Sequence, residues 1–273
     1  MGSLLAAVAS YLDARAAGGQ WLVRIEDIDP PREVAGASDQ ILRSLQAHGL
    51  QWDEDVVYQS SRGDAYDRAL EALAQTGRLF RCRCTRAILG PGGSCGRRCA
   101  PTDDDATALR FQIDSSPHFN DRFMGPQPTA NSPRDLVLRR KDGLYAYALA
   151  VAVDDLWQGI TDVVRGRDLL HQTHAQIELM QVMGGQAPRY AHLPLICDTA
   201  GVKLSKQAGA QAIDDRKALQ NLRIVLEALG QPMAEAACGT VQELLAWATR
   251  SWRDRALQKL ADTQGVYPVS HES

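Results

Sequence analysis

Four cysteines lie close together in the sequence, at Cys82, Cys84, Cys95 and Cys99. Four thiolates at about 2.3 Å from one ion form a closed tetrahedral shell, which is typical of a structural zinc site with no open position for catalysis. The Gly-Pro-Gly-Gly run at residues 90–93 supplies a flexible loop between the two pairs. We therefore predict one structural zinc ion on these four side chains, with free or regulatory thiols as the alternative.

A second group of polar side chains lies in the glycine-flanked segment Lys203-Leu204-Ser205-Lys206-Gln207. Two ammonium groups three residues apart can neutralise a polyphosphate, and the short Ser205 lets the backbone approach it. A solvated surface loop is the alternative, because strings of this kind are common. We predict that Lys203, Ser205 and Lys206 bind phosphate groups.

The segment 78–99 is strongly basic. It contains six arginines and no acidic residue, although the whole chain has a net charge of −3. Screening at physiological salt limits each charge to neighbours within about 8 Å, so a local positive patch can bind a phosphate backbone on a slightly acidic protein. A solvated basic loop is the alternative.

Acidic side chains follow the first short apolar segment of the chain. Residues 21–25 are predicted to form a strand buried on both faces of a parallel sheet, and Glu26, Asp27 and Asp29 come directly after it. Carboxylates at the carboxyl end of such a strand can bind an ammonium group of a ligand. An acidic turn that caps the next helix is the alternative.

A tyrosine and an arginine complete the candidate side chains. Tyr147 and Arg165 are each uninformative alone. Together, however, a guanidinium fork and a neutral hydroxyl donor match the needs of a ligand carboxylate. We predict that the two side chains meet in one pocket.

The framework that positions these residues has a globular composition. The chain has 273 residues, of which 45% are hydrophobic. It contains no apolar run of about 18 residues, and its N-terminal region lacks a secretory pattern. We therefore exclude a membrane span and a disulfide scaffold, and we expect a cytoplasmic protein.

Helical and extended patterns alternate in the first part of the sequence. Apolar spacing predicts a helix from Leu4 to beyond Leu12 that stops at Gly18-Gly19, and further helices at about 37–48 and 65–74. Alternation of this kind predicts α/β architecture with ligands at the carboxyl ends of the strands.

The remaining sequence is predicted in less detail. Residues 79–133 have the composition of an insertion, and residues 136–139 and 144–153 flank an Asp-Gly pair that is typical of a hairpin. Strands at 163–165 and 193–197, a helix at about 173–183 and a helical C-terminal segment complete the prediction.

Four motifs, taken in order, resemble those of class I aminoacyl-tRNA synthetases of the glutamyl type. Residues 24–29 (RIEDID) resemble that group's RIEDTD-like strand end, and residues 147–155 (YALAVAVDD) resemble its YNLAVVVDD-like hairpin. Residues 164–169 (VRGRDL) resemble its VRGADL-like turn, and residues 203–207 (KLSKQ) its KMSKS loop. The resemblance covers most of residues 1–207 and implies a Rossmann-like catalytic domain.

Within this family the chain resembles most the shortened paralogues, the glutamyl-queuosine tRNA(Asp) synthetases, which lack an anticodon-binding domain. Only residues 207–273 follow Lys206, too few for the anticodon module of a full glutamyl-tRNA synthetase. The paralogues often bind zinc through Cys, Cys, Tyr and Cys, so Cys95 is a departure that completes four thiolates. Ala148, where the family usually has Asn, is a second departure and removes one polar contact near the substrate pocket.

The resemblance divides the chain into regions. It implies a first half of the catalytic domain at 1–78, a zinc-binding insertion at 79–133, a second half at 134–207 and a C-terminal helical segment at 208–273. Met1 to Leu5 match only the tail of the family's HIGH-type signature. We expect that the first strand and the His of that signature precede Met1 in a longer native chain, and a chain that lacks this loop is the alternative.

The resemblance implies that the protein activates glutamate with ATP and Mg²⁺ and transfers it to queuosine in tRNA(Asp). Glu26 would hold the ammonium group of glutamate, and Tyr147 with Arg165 would hold its side-chain carboxylate. Lys203 and Lys206 would act on the ATP phosphates. We expect a cytoplasmic monomer with no membrane partner. A non-catalytic RNA-binding remnant and a glutamyl-tRNA synthetase fragment are the alternatives.

Overall fold

The structure is a computed structural model that describes residues 1–90, 93–100, 104, 107–115, 117–128, 134–193, 213–232, 238–253 and 257, apart from the side chain of residue 86. The predicted phosphate-binding residues Lys203, Ser205 and Lys206 lie outside these ranges. The architecture is mixed α/β, as predicted.

The first part of the chain contains three helices and two short strands. These elements are α1 (Gly2–Ala16), β1 (Arg24–Ile25), α2 (Ala37–Ala47), β2 (Val57–Tyr58) and α3 (Gly63–Ala74). Gly18 ends α1 as predicted, because its φ of 68° suits a residue without a Cβ atom. Leu4, Leu5, Val8 and Leu12 are buried on one side of α1, which confirms the predicted apolar face.

The strand expected at residues 21–25 is shorter than predicted, although its parallel pairing with β2 is confirmed. Burial alternates along it: Trp21, Val23 and Ile25 are buried, whereas Leu22 and Arg24 are partly exposed. The prediction that both faces are buried was therefore wrong. One face packs on the core, and the other carries Arg24 toward polar partners.

The middle of the chain is built from short strands, in agreement with its irregular pattern. It contains β3 (Leu79–Cys82), α4 (Arg86–Leu89), β4 (Ala108–Gln112), β5 (Phe119–Asp121), β6 (Gly125–Gln127) and β7 (Asp135–Arg139). Strands β3, β4 and β7 form one antiparallel sheet, and β5 pairs with β6. The strand after the expected insertion boundary thus pairs within the sheet of the insertion.

The predicted hairpin at residues 136–153 was wrong in its second half. Strand β7 is present, but Tyr147–Trp157 forms helix α5 rather than a strand. Only an isolated bridge between Arg139 and Tyr145 continues the hairpin. Helix α5 is buried on most of its surface, so its sequence lacks the 3.6-residue apolar period that would have marked it as a helix.

The last part of the described chain contains β8 (Asp162–Gly166), α6 (Leu170–Val182), β9 (Arg189–Leu193), α7 (Ala218–Ala228) and α8 (Val241–Ser251). Strands β8 and β9 pair in parallel. Strand β9 ends at Leu193, where the predicted strand began, and residues 194–197 lie outside the described ranges. A capping box between Thr240 and Glu243 starts α8.

Two apolar cores hold these elements. The first joins α1 with β1, β9, α7 and α8, and the second joins α3, α5 and α6 with β4 and β7. Asp13, buried on α1, accepts hydrogen bonds from Arg122 and from the indole Nε1 of Trp252, which follows α8. The N-terminal helix is thereby tied to the middle and to the C-terminal part of the chain. None of the described helices is long and apolar enough to cross a membrane.

Candidate active site and metal centre

Arg165 on β8 is the most extensively bonded side chain of the candidate site. The residue is buried, with 8% of its surface exposed. Its Nε donates to Nε2 of His192 at 3.0 Å, and its Nη2 donates to Thr173 Oγ1 at 2.8 Å and to Gln176 Oε1 at 2.7 Å. Its Nη1 approaches the hydroxyl of Tyr147 at 3.5 Å. Strand β8 and helix α6 therefore fix the guanidinium from two sides.

His192, on β9 beside Arg165, forms a buried hydrogen bond with Asp121 of β5. Nδ1 of His192 lies 2.6 Å from Oδ2 of Asp121, and both side chains are fully buried. Burial opposes ionisation of Asp121, but hydrogen bonds from His192 hold its pKa below the usual value. Burial lowers the pKa of His192, and the nearby Arg165 charge lowers it further.

Glu26 follows β1, and its carboxylate lies close enough to Arg165 for the two charges to interact. The carboxylate is exposed to solvent, yet the surrounding protein raises its pKa by desolvation, while the charges of Arg24 and Arg165 oppose this rise. Desolvation also raises the pKa of Tyr147, whose hydroxyl feels the charges of Arg165 and Glu26. The structure thus brings together the three residues predicted for the amino-acid pocket, which we call the β1–β8 crevice: Glu26, Tyr147 and Arg165.

A second layer of acidic side chains from α5 lies behind Glu26. Asp155 accepts a hydrogen bond from Nη2 of Arg24 at 2.8 Å. Its neighbour Asp154 is fully buried and accepts from Arg62 and from the hydroxyl of Tyr66. These contacts explain why a polar pair can occupy the buried end of α5, since each carboxylate is hydrogen-bonded.

The crevice presents hydrogen-bond donors at one end and an acceptor at the other. Nη1 of Arg165 and the hydroxyl of Tyr147 are donors that suit a carboxylate, whereas Glu26 suits an ammonium group. Among the described residues, Nε2 of Gln176 is a further buried donor without a hydrogen-bond partner. This arrangement is complementary to a small zwitterion with an additional carboxylate.

The four predicted metal ligands converge on one point. The sulfur atoms of Cys82, Cys84, Cys95 and Cys99 all lie within 4.8 Å of one another. Neighbouring pairs are separated by 3.7 Å (Cys84–Cys95), 3.4 Å (Cys95–Cys99) and 3.9 Å (Cys82–Cys99). A tetrahedral zinc ion with bonds of about 2.3 Å requires sulfur separations of about 3.8 Å. The four-cysteine cluster therefore fits one such ion.

The thiols of this cluster differ in acidity. Burial raises the pKa of Cys82 to about 12. Burial acts in the same sense on Cys95, but hydrogen bonds from the backbone of Cys99 and from neighbouring thiols outweigh it and lower its pKa to about 7. A thiol that ionises near neutral pH is suited to bind a metal ion first, because the thiolate is the ligand.

Asp135 at the start of β7 braces the loop that carries Cys95. It accepts hydrogen bonds from Ser94 Oγ and the backbone N–H of Gly96, each at 2.7 Å. It also pairs with Arg110 of β4. The carboxylate thus fixes the turn between the second pair of cysteines to the three-stranded sheet.

The predicted basic patch is divided between internal and exposed arginines. Arg78 is internal, because it pairs with Glu178 of α6. Arg83, Arg97 and Arg98 are exposed around the four-cysteine cluster, although Arg97 and Arg98 also donate to backbone carbonyls. The exposed members remain available to an external anion at their outer faces.

The sequence did not reveal several residues of the site. Arg24, Asp121, Asp155, Thr173, Gln176 and His192 form its supporting hydrogen bonds. Arg24 and Asp155 lie within the motifs at residues 24–29 and 147–155, whereas the other four are isolated polar residues. His192, for example, lies in the apolar stretch Tyr190–Leu193.

Comparison with known proteins gives a consistent result. The family described as "tRNA synthetases class I (E and Q), catalytic domain" matches residues 1–90 and 98–230. A glutamyl-Q tRNA(Asp) synthetase from Idiomarina loihiensis is 48% identical over 260 residues, which are 92% of this chain and 92% of the relative. One from Chromobacterium violaceum is 45% identical over 92% of this chain and 88% of the relative.

Solved structures support the same fold. A glutamate-tRNA synthetase from Elizabethkingia anophelis superposes with a TM-score of 0.77 at 24% identity and covers 94% of this chain. A glutamate tRNA ligase from Elizabethkingia meningosepticum, solved in complex with its amino acid, gives a TM-score of 0.76 at 24% identity. The chain spans 64% and 63% of the lengths of these two proteins.

Proposed function

We propose, because the chain belongs to the class I tRNA synthetase family of the E and Q type, that it activates glutamate with ATP and transfers the glutamyl group to queuosine in tRNA(Asp). The observation that carries the proposal is the high identity to glutamyl-Q tRNA(Asp) synthetases over nearly the whole length of both chains. The protein is accordingly a ligase.

The β1–β8 crevice is the glutamate site of this proposal. Glu26 pairs with the α-ammonium group, and Nη1 of Arg165 with the hydroxyl of Tyr147 donates to the side-chain carboxylate. The proximity of these three side chains, with opposite charges at the two ends, supports the assignment. A charged hydrogen bond contributes about 1.5–3 kcal/mol, so both the ammonium end and the carboxylate end contribute to recognition.

In the first step the α-carboxylate of glutamate attacks the α-phosphorus of ATP. A phosphorus–oxygen bond forms, the bond to the β-phosphate breaks, and pyrophosphate leaves with the developing negative charge. Catalysis then consists mostly of positioning and of charge neutralisation. We assign that neutralisation to Lys206 and Lys203, with Ser205 as a phosphate contact. Magnesium bound with ATP neutralises further phosphate charge.

In the second step queuosine attacks the acyl carbon of the glutamyl-adenylate, and AMP leaves. The exposed Arg83, Arg97 and Arg98 beside the four-cysteine cluster bind tRNA phosphate in this proposal, an interaction that weakens as salt rises. The metal ion is zinc with a structural role. Its four thiolate ligands cross-link β3 with the loop that carries these arginines and leave no coordination position for substrate.

The experiment follows labelled glutamate onto tRNA(Asp). The full chain is incubated with ATP, Mg²⁺, radioactive glutamate and tRNA(Asp) that carries queuosine, and the matched control is the same tRNA with guanosine at that position. After nuclease digestion, we expect the label on the queuosine nucleotide and none in the control. Label on the terminal adenosine alone would instead identify a glutamyl-tRNA synthetase fragment.

A further inference from the structure

The hydrogen bonds of Arg165 account for most of its donors. A guanidinium has five N–H groups. The Nε–H is directed to His192, and the two hydrogens of Nη2 are directed to Thr173 and Gln176. Only Nη1 remains, on the side of Tyr147. These hydrogen bonds therefore determine the orientation of the guanidinium. Nη1 is the nitrogen that remains to face a ligand.

The bond between Arg165 and His192 requires one particular tautomer of the imidazole. Arg165 has no acceptor, so Nε2 of His192 must carry the lone pair. The ring proton must then reside on Nδ1, which lies 2.6 Å from Oδ2 of Asp121. Asp121 thus selects the imidazole form that can accept from Arg165, since an ionised carboxylate accepts and does not donate.

Asp121 is itself fixed by the backbone. Its Oδ1 accepts from the N–H groups of Phe123 and Met124, at 3.0 and 2.9 Å, and from the N–H of His192 at 3.0 Å. The carboxylate therefore links the turn after β5 to strand β9. Its orientation does not depend on the side chains of the β1–β8 crevice.

We propose that Asp121 and His192 act as a positioning pair that holds the guanidinium of Arg165 in the orientation that binds the glutamate carboxylate. The inference rests on the function proposed above. Neither side chain reaches the crevice, because both are fully buried behind Arg165. A buried polar chain of this kind is costly in desolvation. What it provides in return is a fixed orientation of the Arg165 guanidinium.

Two substitutions of His192 test its two hydrogen bonds separately, the bond to Arg165 and the bond to Asp121. In His192→Gln the side-chain amide reaches the place of Nε2 and can still accept from Nε of Arg165, but it loses the bond to Asp121. In His192→Asn the amide reaches only the place of Nδ1, so it keeps the bond to Asp121 and loses Arg165. The two variants are similar in polarity, and both lose the imidazole ring, so that each leaves part of its volume unfilled.

Glutamate and ATP affinities of the full-length variants are measured by calorimetry, together with thermal unfolding. We expect His192→Asn to weaken glutamate binding at least tenfold, as befits one hydrogen bond to a charged group. We expect His192→Gln to remain within about threefold of the wild type, because an amide oxygen accepts from Arg165 without the tautomer selection that Asp121 provides to the imidazole. ATP binding should change in neither variant. Equal glutamate affinities in the two variants, whether both normal or both reduced, would overturn the proposal.

A second measurement does not depend on glutamate. Nitrogen-15 NMR of the histidine rings in the wild-type protein should show His192 protonated on Nδ1 and bare on Nε2. The opposite tautomer, or a doubly protonated ring at neutral pH, would overturn the positioning pair. Absence of glutamate binding by the wild type combined with the expected tautomer would count against the proposed function, whereas the geometry of the pair would stand.

Discussion

The β1–β8 crevice and the four-cysteine cluster are organised in opposite ways. The crevice is held by hydrogen bonds between regular elements, so that Arg165 is bonded to β9 and α6 before any ligand binds. The cysteines lie on the end of β3 and on turns, and Asp135 ties the turn around Cys95 to the three-stranded sheet. One site is therefore preorganised by hydrogen bonds between regular elements, whereas a metal ion bound to the four thiols would add a cross-link between a strand and turns.

The largest expected effect is that of substituting Arg165. The substitution tests whether glutamate binding in the β1–β8 crevice is independent of metal binding by the four-cysteine cluster. Arg165→Lys keeps a positive charge but cannot make the three fixed bonds simultaneously. We expect the KM for glutamate to rise at least about 100-fold, equivalent to the loss of about 3 kcal/mol. Glutamate-dependent adenylate formation measures it, and zinc content should be unchanged. A KM near the wild-type value would contradict the assigned role.

Substitution of one cysteine tests whether the four-cysteine cluster is independent of the β1–β8 crevice. In Cys95→Ser we expect the loss of bound zinc and faster amide exchange at the end of β3 and in the turn around Cys95, because these two segments lose their cross-link. The matched control is Cys238→Ser, a buried cysteine far from the cluster in sequence. Metal analysis and hydrogen-exchange mass spectrometry provide the readouts. Retention of one zinc per chain in Cys95→Ser would refute the four-thiolate site.

Removal of the Tyr147 hydroxyl sharpens the description of the crevice. Tyr147→Phe deletes one donor and leaves Arg165 bonded to β9 and α6. We expect the KM for glutamate to rise about tenfold, with kcat and the thermal midpoint little changed. Tyr145→Phe, on the neighbouring loop, is the control. An equal effect in both variants would show that the loss is structural.

The smallest expected effect concerns pH. The pKa of Glu26 is raised, mainly by desolvation, so the carboxylate protonates at a higher pH than usual and then releases the ammonium group of glutamate. Glutamate affinity should fall as pH decreases through this raised pKa. Conversely, ionisation of Glu26 costs stability as pH rises from its unfolded to its folded pKa. In Glu26→Gln the low-pH fall in affinity should disappear, and its persistence would exclude Glu26 as its source.

Periodicity was sufficient for the elements with one apolar face. Helices α1 and α3 follow the predicted spacing, and α7 and α8 lie in the C-terminal segment that was predicted to be helical; each of the four packs one apolar stripe on a core. Helix α5 was misassigned, since a helix buried on most sides repeats no polar position. The predicted strand β1 was too long, because its run of apolar residues hides the alternation of buried and partly exposed side chains that the structure shows.

The candidate site was predictable only where residue type already limits the chemistry. The cysteines and the Glu26, Tyr147 and Arg165 set could be named from the sequence, because thiols in a cluster and motif-bearing polar residues have few roles. The structure brings each set together, and the roles of these residues stay predictions. The supporting Asp121 and His192 could not be named in this way, since they are distant in sequence and meet only after β5 and β9 have formed. Residues 203–206 stay a prediction.

The link between Asp13 and Trp252 has a consequence for biosynthesis. These residues are 239 positions apart, and the apolar face of α1 packs on α8 in the same core. A ribosome that adds about 5–20 residues per second needs about 12–48 s to synthesise the chain from Asp13 to Trp252. During that interval α1 lacks α8, one of the elements that cover its apolar face, so the burial of Leu4, Leu5, Val8 and Leu12 is completed only after the residues around Trp252 have been synthesised.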